Sequence, residues 1–280
     1  MKLPGILMLC TLFLSPFVHA GDPVSWLSRY DLSTPAKKFT LHDNVSEASG
    51  LATTPDGRLL THDDEKGVVY QVDYTNGKII KRFSIGSAFL EEDFEGIAVK
   101  KDTVFLVASN GNIFEFREGQ NGDKKKFQLY RTTLSTKNDI EGLEYDPISD
   151  CLLLVCKGAP GKGHGDNKAI YAFSLKTKKL EDKPRMLVSV KEMEKAGVPK
   201  NFNPSGIALH PASGTFFIIS ADAGAVIEVD RTGKLLAHAK FPRKPNRHPE
   251  GIAFAPDLSM LICNDGQGGD GTLTVYGVKK

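Results

Sequence analysis

Glu95, Glu141 and Glu250 are each followed by Gly and an apolar residue, in EGIAVKKD, EGLEYDP and EGIAFAPD. Ser49 and Ser205 hold the same place in SGLATTPDG and SGIALHPASG. Two positions earlier stand Glu47, Asp93, Asp139, Asn203 and His248, which by the two-residue period of a strand lean the same way. If these side chains share one space, several carboxylates converge. Crowded like charges either keep protons at raised pKa or share a cation. Oxygen donors from Glu, Asp, Asn and Ser in an adaptable ring suit Ca²⁺, whereas Zn²⁺ would want His or Cys at tetrahedral spacing. The candidate ligands for Ca²⁺ are therefore Glu95, Glu141, Glu250, Asp93, Asp139 and Glu47.

The elements that must position them follow from the spacing. The residues before the repeated Gly, at 49, 95, 141, 205 and 250, lie 46, 46, 64 and 45 apart, a period near 46 with one insertion. Each unit runs in the same order: [Ser/Glu]-Gly-apolar, a Pro/Asp/Gly turn, a strongly apolar strand such as TVFLVASN or CLLLVCK, and a third strand such as GVVYQVD or GAVIEVD. A fourth, more polar strand such as KIIKRFSI follows turn signals like Tyr74 to Gly77. Four short strands at a period in the forties mark a β-propeller blade. The fold class is all-β, a propeller of five four-stranded antiparallel blades, with six blades as the alternative. The N-terminal segment RYDLSTPAKKFTL is read as the strand that closes the ring, which removes exposed sheet edges. The first strand of each blade then lines the central channel. Its Gly answers either close backbone approach or a positive φ, and the residue before it points into the channel.

The long third interval holds two insertions, residues 157–168 (KGAPGKGHGDNK) and residues 185–202 with SVKEMEKAGVP. In the latter, Ser189 and Glu192 make a capping-box pattern and Gly197 then Pro199 end a short helix. Both are expected to project from the ring and to cover one face of it.

Residues 1–20 combine an early Lys, an apolar stretch and Val-His-Ala before Gly21, a secretory signal peptide by pattern; Leu9 argues against lipidation at Cys10. The domain is then residues 21–280, exported and periplasmic, without a second apolar run of membrane-spanning length, and peripheral to the envelope if it meets the membrane at all. Formal charge is +2 and pI near 8.2 with scattered Lys and Arg, which excludes a nucleic-acid footprint. The chain reads as a monomer taking a small-molecule or protein ligand at the channel mouth. Cys151 and Cys156 flank one extended strand, too far apart to bond. The Asn44-Val45-Ser46 sequon reads as chance.

A competing reading gives the acidic residues a bracing role, bonding backbone N–H groups of the next blade while water fills the channel. Glu144 stands where the other blades have Ala52, Ala98, Ala208 and Ala253, and reads either as a solvated oddity or as a partner for a basic residue between blades. The ends of the second strands, His62-Asp63-Asp64, Ser109-Asn110, Lys157, Asp222 and Asn264-Asp265, read mostly as exposed turn polarity. No P-loop spacing and no Gly-x-Ser-x-Gly elbow occurs, and His164 reads as solvated, so a Ser/His/Asp hydrolase is disfavoured.

The succession YDLSTP, LHDNVSEASGLA, DFEGIAV, NDIEGLEYDP, NPSGIALHP and HPEGIAFAPD resembles the SdiA-regulated family of exported, YjiK/CarP-like bacterial proteins over residues 29 to 278. The resemblance implies a β-propeller related to NHL-repeat proteins and a link to calcium response, with some relatives called phytase-like. Calcium-containing propellers of the regucalcin and gluconolactonase type use the Glu of a Glu-Gly-Pro motif as a metal ligand. Glu95, Glu141 and Glu250 match its Glu-Gly element and lack the Pro.

Three functions are compatible with these residues: a Ca²⁺-binding or signalling module of the envelope, a metal-dependent phosphoester or ester hydrolase, and a metal-free interaction scaffold. In the hydrolase reading Asp93 or Asp139 is the base, and Lys157, Lys162 or Arg131 contacts the anion.

Overall fold

A computed structural model describes residues 25–86, 90–242 and 244–279. The leader at 1–20, with Cys10, lies outside the described residues. The described residues form five sheets, antiparallel except where Lys124–Lys125 adds to the outer edge of the first in parallel with Lys78–Ile85, and ordered outward from the first strand in chain order in all but the fifth, whose outer strand is N-terminal. The first blade comprises Ala48–Thr53, Leu59–Asp63, Val68–Asp73 and Lys78–Ile85, and the second Phe94–Lys100, Thr103–Ala108, Ile113–Arg117 and Phe127–Tyr130. Ile140–Asp146, Cys151–Cys156 and Lys168–Ser174 build the third, whose outer place is shared by Lys179–Leu180 and Met186–Val188. Gly206–Leu209, Phe216–Ser220, Ala225–Val229 and Leu235–Lys240 build the fourth. The fifth takes Pro249–Phe254, Met260–Asn264 and Thr272–Tyr276 from the C-terminal part of the chain and Lys37–Thr40 from the N-terminal part. The propeller therefore has five blades, and the N-terminal segment closes it: Lys37 pairs with Val275 and Thr40 with Thr272.

The burial pattern explains why these segments are strands. The second strands are buried along their whole length, as in Cys151–Cys156 and Met260–Asn264, because each is covered on both faces by neighbouring blades. Fourth strands are more exposed, as in Lys78–Ile85 and Leu235–Lys240. Apolar side chains from adjacent blades interdigitate into one core between each pair. Val155 and Ile170 of the third blade, for example, pack with Ile207 and Ile218 of the fourth.

The insertions behave differently from expectation. The helix Val190–Ala196 is capped by Ser189, whose side chain accepts from the Glu192 N–H, and ends at Gly197 in the left-handed conformation. It does not project over a face: Met193, Val198 and Phe202 are buried in the core between the third and fourth blades, and His238 Nε2 lies 2.8 Å from the Ala196 carbonyl. An amphipathic turn beside an apolar seam lowers its free energy by packing. The start of the other insertion is tied down too. The N–H groups of Lys157, Gly158 and Ala159 donate to the carbonyls of Asp139, Asn138 and Lys137, and Tyr171 Oη donates to the Pro160 carbonyl. Cys151, Cys156 and Cys263 are free and buried, as small core residues.

Candidate functional site

The first strands touch one another around the axis in the order first, second, third, fourth, fifth and back to first. Their starts lie at one height, because the repeated glycines meet there. A methyl carbon placed on Gly96 would lie 2.7 Å from the Leu143 nitrogen, and one on Gly251 would lie 2.8 Å from the Gly50 carbonyl carbon. Neither Gly adopts a positive φ. Close approach, and not turn geometry, is what the repeat serves. In four of the blades an irregularity in the pairing falls at this point, between Ala48 and Leu51, Phe94 and Gly96, Ile140 and Leu143, and Pro249 and Gly251. Such a bulge re-aims the preceding side chain. The space enclosed among the glycines is about 10 Å³, at the lower limit of what one water occupies. The axis is narrowed at this level to room for about one water.

Above the glycines lies the acidic mouth. Glu95 is pushed well above the usual carboxylate range by burial first, then by the charges of Glu141, Asp93 and Glu250, and it shares a hydrogen bond with Asp93. Burial followed by the Glu141 charge raises Glu250 to about 8, and its pull is offset in part by Lys157. Burial also raises Glu141, against the opposing effect of Lys157, whose Nζ donates to Glu141 Oε1 over 2.9 Å. Lys157 itself, which burial alone would lower, is held above the usual lysine range by Glu141.

Asp93 and Asp139 act on these glutamates electrostatically, and Asp139 holds a left-handed backbone (φ 53°) beside Lys157. His248 Nδ1 stands 3.8 Å from Glu250 Oε1. Glu47 departs from the ring: it lines a groove with Asn44, Asp63, Lys66 and Arg82, and its charge acts on Asp64. Asn203 is turned to Lys168 and Asp222.

The bracing role belongs to other side chains. Ser205 Oγ donates to the Pro249 carbonyl at 2.6 Å and accepts from the Ala221 N–H, locking the fourth blade to the fifth. Glu141 spends its carboxylate on Lys157 and not on a backbone N–H. Glu144 is neither a solvated oddity nor an ion-pair partner of a basic residue: it accepts the N–H of Leu209 in the next blade at 3.0 Å and that of Tyr145 at 2.8 Å.

Several second-strand ends are not exposed turn polarity. His62 and Asn264 are buried, and His62 Nε2 has no hydrogen-bond partner where it lies against Gly50. Burial lowers the His62 imidazole to about 4, so it is neutral at physiological pH. Asp64 is raised to about 6 by burial and by Glu47 and Asp63, and its Oδ1 is buried without a partner. Asp222 and Asp265 add their charges to Glu250. The antiparallel register explains this: Ala48 faces Asp63 and Pro249 faces Asn264, so the end of each second strand reaches the height of the Glu-Gly ring. That register was available from the repeat itself.

The donors gathered here are carboxylate, amide and hydroxyl oxygens, the chemistry of a hard cation. Among the described residues no three His, Cys, Asp or Glu side chains already stand in a metal-holding group. Arg131 and Lys162 are exposed, and Lys157 is engaged by Glu141.

Solved structures with this fold share little sequence with it. Glutaminyl cyclase of Myxococcus xanthus is 14% identical at a TM-score of 0.58, over 88% of this chain and 97% of that one. The PQQ-bound aldose sugar dehydrogenase of Streptomyces coelicolor is 15% identical at 0.49, over 88% and 100%. An inactive virginiamycin B lyase of Staphylococcus aureus with quinupristin is 12% identical at 0.46, over 87% and 74%. The cyclase likeness bears on fold alone. No curated protein matches the chain. The family described as SdiA-regulated matches residues 23–265, which hold the Glu-Gly ring and every blade strand except Thr272–Tyr276, and the chain belongs to that family.

Proposed function

We propose that this is an exported, periplasmic propeller that binds Ca²⁺ at its acidic channel mouth and serves as a binding or signalling module of the envelope. The observation that supports it is electrostatic. Glu95 and Glu250 are half-buried near each other with Glu141, Asp93, Asp222 and Asp265 acting on them, and Lys157 is the cation that answers at Glu141. Without a further cation these carboxylates keep protons they would lose in water. Ca²⁺ accepts irregular oxygen ligands at roughly 2.3–2.6 Å, so modest rotations of long Glu side chains suffice to draw them together. Glu95 and Glu250 are the principal ligands in this reading, with Asp93 and Glu141 beside them. The close-packed glycines below confine the ion to one face. The hydrolase alternative loses its nearest anion contact, because Lys157 is held by Glu141.

The test is calorimetric titration of residues 21 to 280 with Ca²⁺ after EDTA treatment, beside the Glu95→Gln/Glu250→Gln variant. Micromolar or tighter binding that disappears in the variant supports the site. Absence of heat in the parent protein removes it.

A further inference from the structure

A second cavity lies at the opposite end of the axis. The first strands all begin at the glycine ring, so their other ends, Leu51 to Thr54, Val99 to Lys101, Glu144 to Pro147, Leu209 and Phe254 to Pro256, converge on the far face. There they surround a cavity of about 650 Å³. That volume falls in the range of small-molecule sites. Its wall is more apolar than polar, with Leu51, Val99, Leu209, Phe254 and Leu258 beside Thr53, Thr54, Lys100 and Lys101, and the close-packed glycines lie between it and the acidic mouth.

One side chain breaks the pattern of this wall. At the equivalent strand position four blades carry Ala, of which Ala52, Ala208 and Ala253 line the cavity and Ala98 does not, and the third carries Glu144. Each of its oxygens accepts one backbone N–H, from Tyr145 and from Leu209, which fixes the carboxylate in position. Among the described residues it makes no ion pair, and its remaining surface looks into the cavity. Glu144 is half-buried and lines the cavity, and a carboxylate held among apolar groups without a cation is costly, a cost that Ala at this position would avoid.

We propose that this cavity is a binding site for a primary ammonium group carried on a small apolar body. The ammonium lies against Glu144, and the body fills the space between Leu51, Val99, Phe254 and Leu258.

The charged groups around Glu144 leave room for a cation. From the second blade, Lys100 is neutralised by Asp150, which Tyr145 Oη also contacts at 3.0 Å, and Lys101 sits on an exposed turn where solvent screens it. In the third blade Asp146 is committed to Arg231. In the fourth, His210 is engaged by Tyr30 Oη at 3.0 Å and by Ser213, and burial keeps it neutral by lowering it to about 4. The linings from the first and fifth blades carry no ionisable side chain. Burial raises Glu144 itself to about 7, so the anion that would receive an ammonium forms as pH rises through neutrality.

The experiment compares three probes of one shape, 4-phenylbutylamine, 4-phenyl-1-butanol and 4-phenylbutyrate, by calorimetry at about pH 8.5 and about pH 5.5, either side of the Glu144 titration. At the higher pH the amine is expected to bind at least about tenfold tighter than the alcohol, as a charge-assisted contact requires, with the carboxylate weakest. At the lower pH the ratio of amine to alcohol falls toward one. Glu144→Gln abolishes the preference, and Glu250→Gln at the other mouth leaves it intact. Equal binding of amine and alcohol at high pH, tightest binding of the carboxylate, no binding of any probe, or a preference that survives at low pH overturns the proposal. Should Glu144→Gln fail to fold, the three probes and two pH values on the unaltered protein decide the matter alone.

Discussion

The ammonium of Lys157 donates to the carboxylate of Glu141 across 2.9 Å, joining the end of one strand of the third blade to the start of its antiparallel neighbour. No such lysine stands at the corresponding ends of the other second strands, where Asp64, Ser109, Ala221 and Asp265 are found instead. This single pair makes the channel mouth asymmetric: Glu141 is compensated, whereas Glu95 and Glu250 depend on protons or an added cation.

Removing that compensation separates stability from cation binding. Lys157→Met is expected to destabilise the metal-free protein by about 1.5–3 kcal/mol, the scale of a hydrogen bond to a charged group. It should also tighten Ca²⁺ binding several-fold, because Glu141 is released to the ion. Thermal denaturation with and without Ca²⁺ reads both effects; unchanged stability together with unchanged affinity would show that the pair is immaterial.

The raised carboxylates set a pH dependence of known sign. A folded-state pKa above the unfolded value means that the native state holds the extra proton, so stability is greatest below the unfolded pKa and falls as pH rises through the folded one. For Glu250 that window runs from the ordinary glutamate range up to about 8. Metal-free protein should lose stability between about pH 5 and pH 8, and Glu250→Gln should flatten the slope. Denaturant melts across this range provide the check.

Ca²⁺ uptake at such a site expels protons. Titrations near pH 7 in buffers of different ionisation enthalpy should show proton release on binding, and affinity should rise with pH. Binding heats that do not vary with the buffer would mean that the glutamates are already ionised.

The glycine ring should tolerate no side chain. Gly251→Ala brings a methyl group to 2.4 Å from Cys263 Sγ and 2.8 Å from the Gly50 backbone, contacts between elements that cannot both retreat. A loss of about 3 kcal/mol or more is expected, at the upper end for overpacking. Gly277→Ala meets nothing within 4 Å and should stay within about 0.5 kcal/mol of the parent. Urea midpoints compare the two.

Closure of the ring depends on a buried carboxylate outside the mouth. Glu228 accepts hydrogen bonds from Ser25 Oγ, the Leu27 N–H and Thr215 Oγ1, anchoring the segment that leads to the closing strand Lys37–Thr40. Glu228→Ala should cost about 1–3 kcal/mol by leaving those donors unsatisfied, and should expose the N-terminal segment to protease before the rest of the chain. Equal protection of that segment in parent and variant would count against the anchor.

The sequence by itself determined the all-β propeller, the N-terminal closing strand, the capped helix after Ser189 and the Glu-Gly repeat, because each is written in local periodicity, turn residues and a repeat near 46, and it favoured five blades over six, a choice the sheet pairing made. Other features were decided by contacts between segments far apart in the chain. Only packing of one first strand against the next shows that the glycines serve close approach, that the axis is narrowed at their level, and that Ser205 braces the ring while Glu141 takes Lys157. The same holds for Glu47, whose charge acts on Asp64, and for Glu144, whose partner Leu209 is 65 residues away. A residue's type and period fix which face of a strand it occupies, but burial, charge and hydrogen-bond partners are properties of what the neighbouring blade brings to that face.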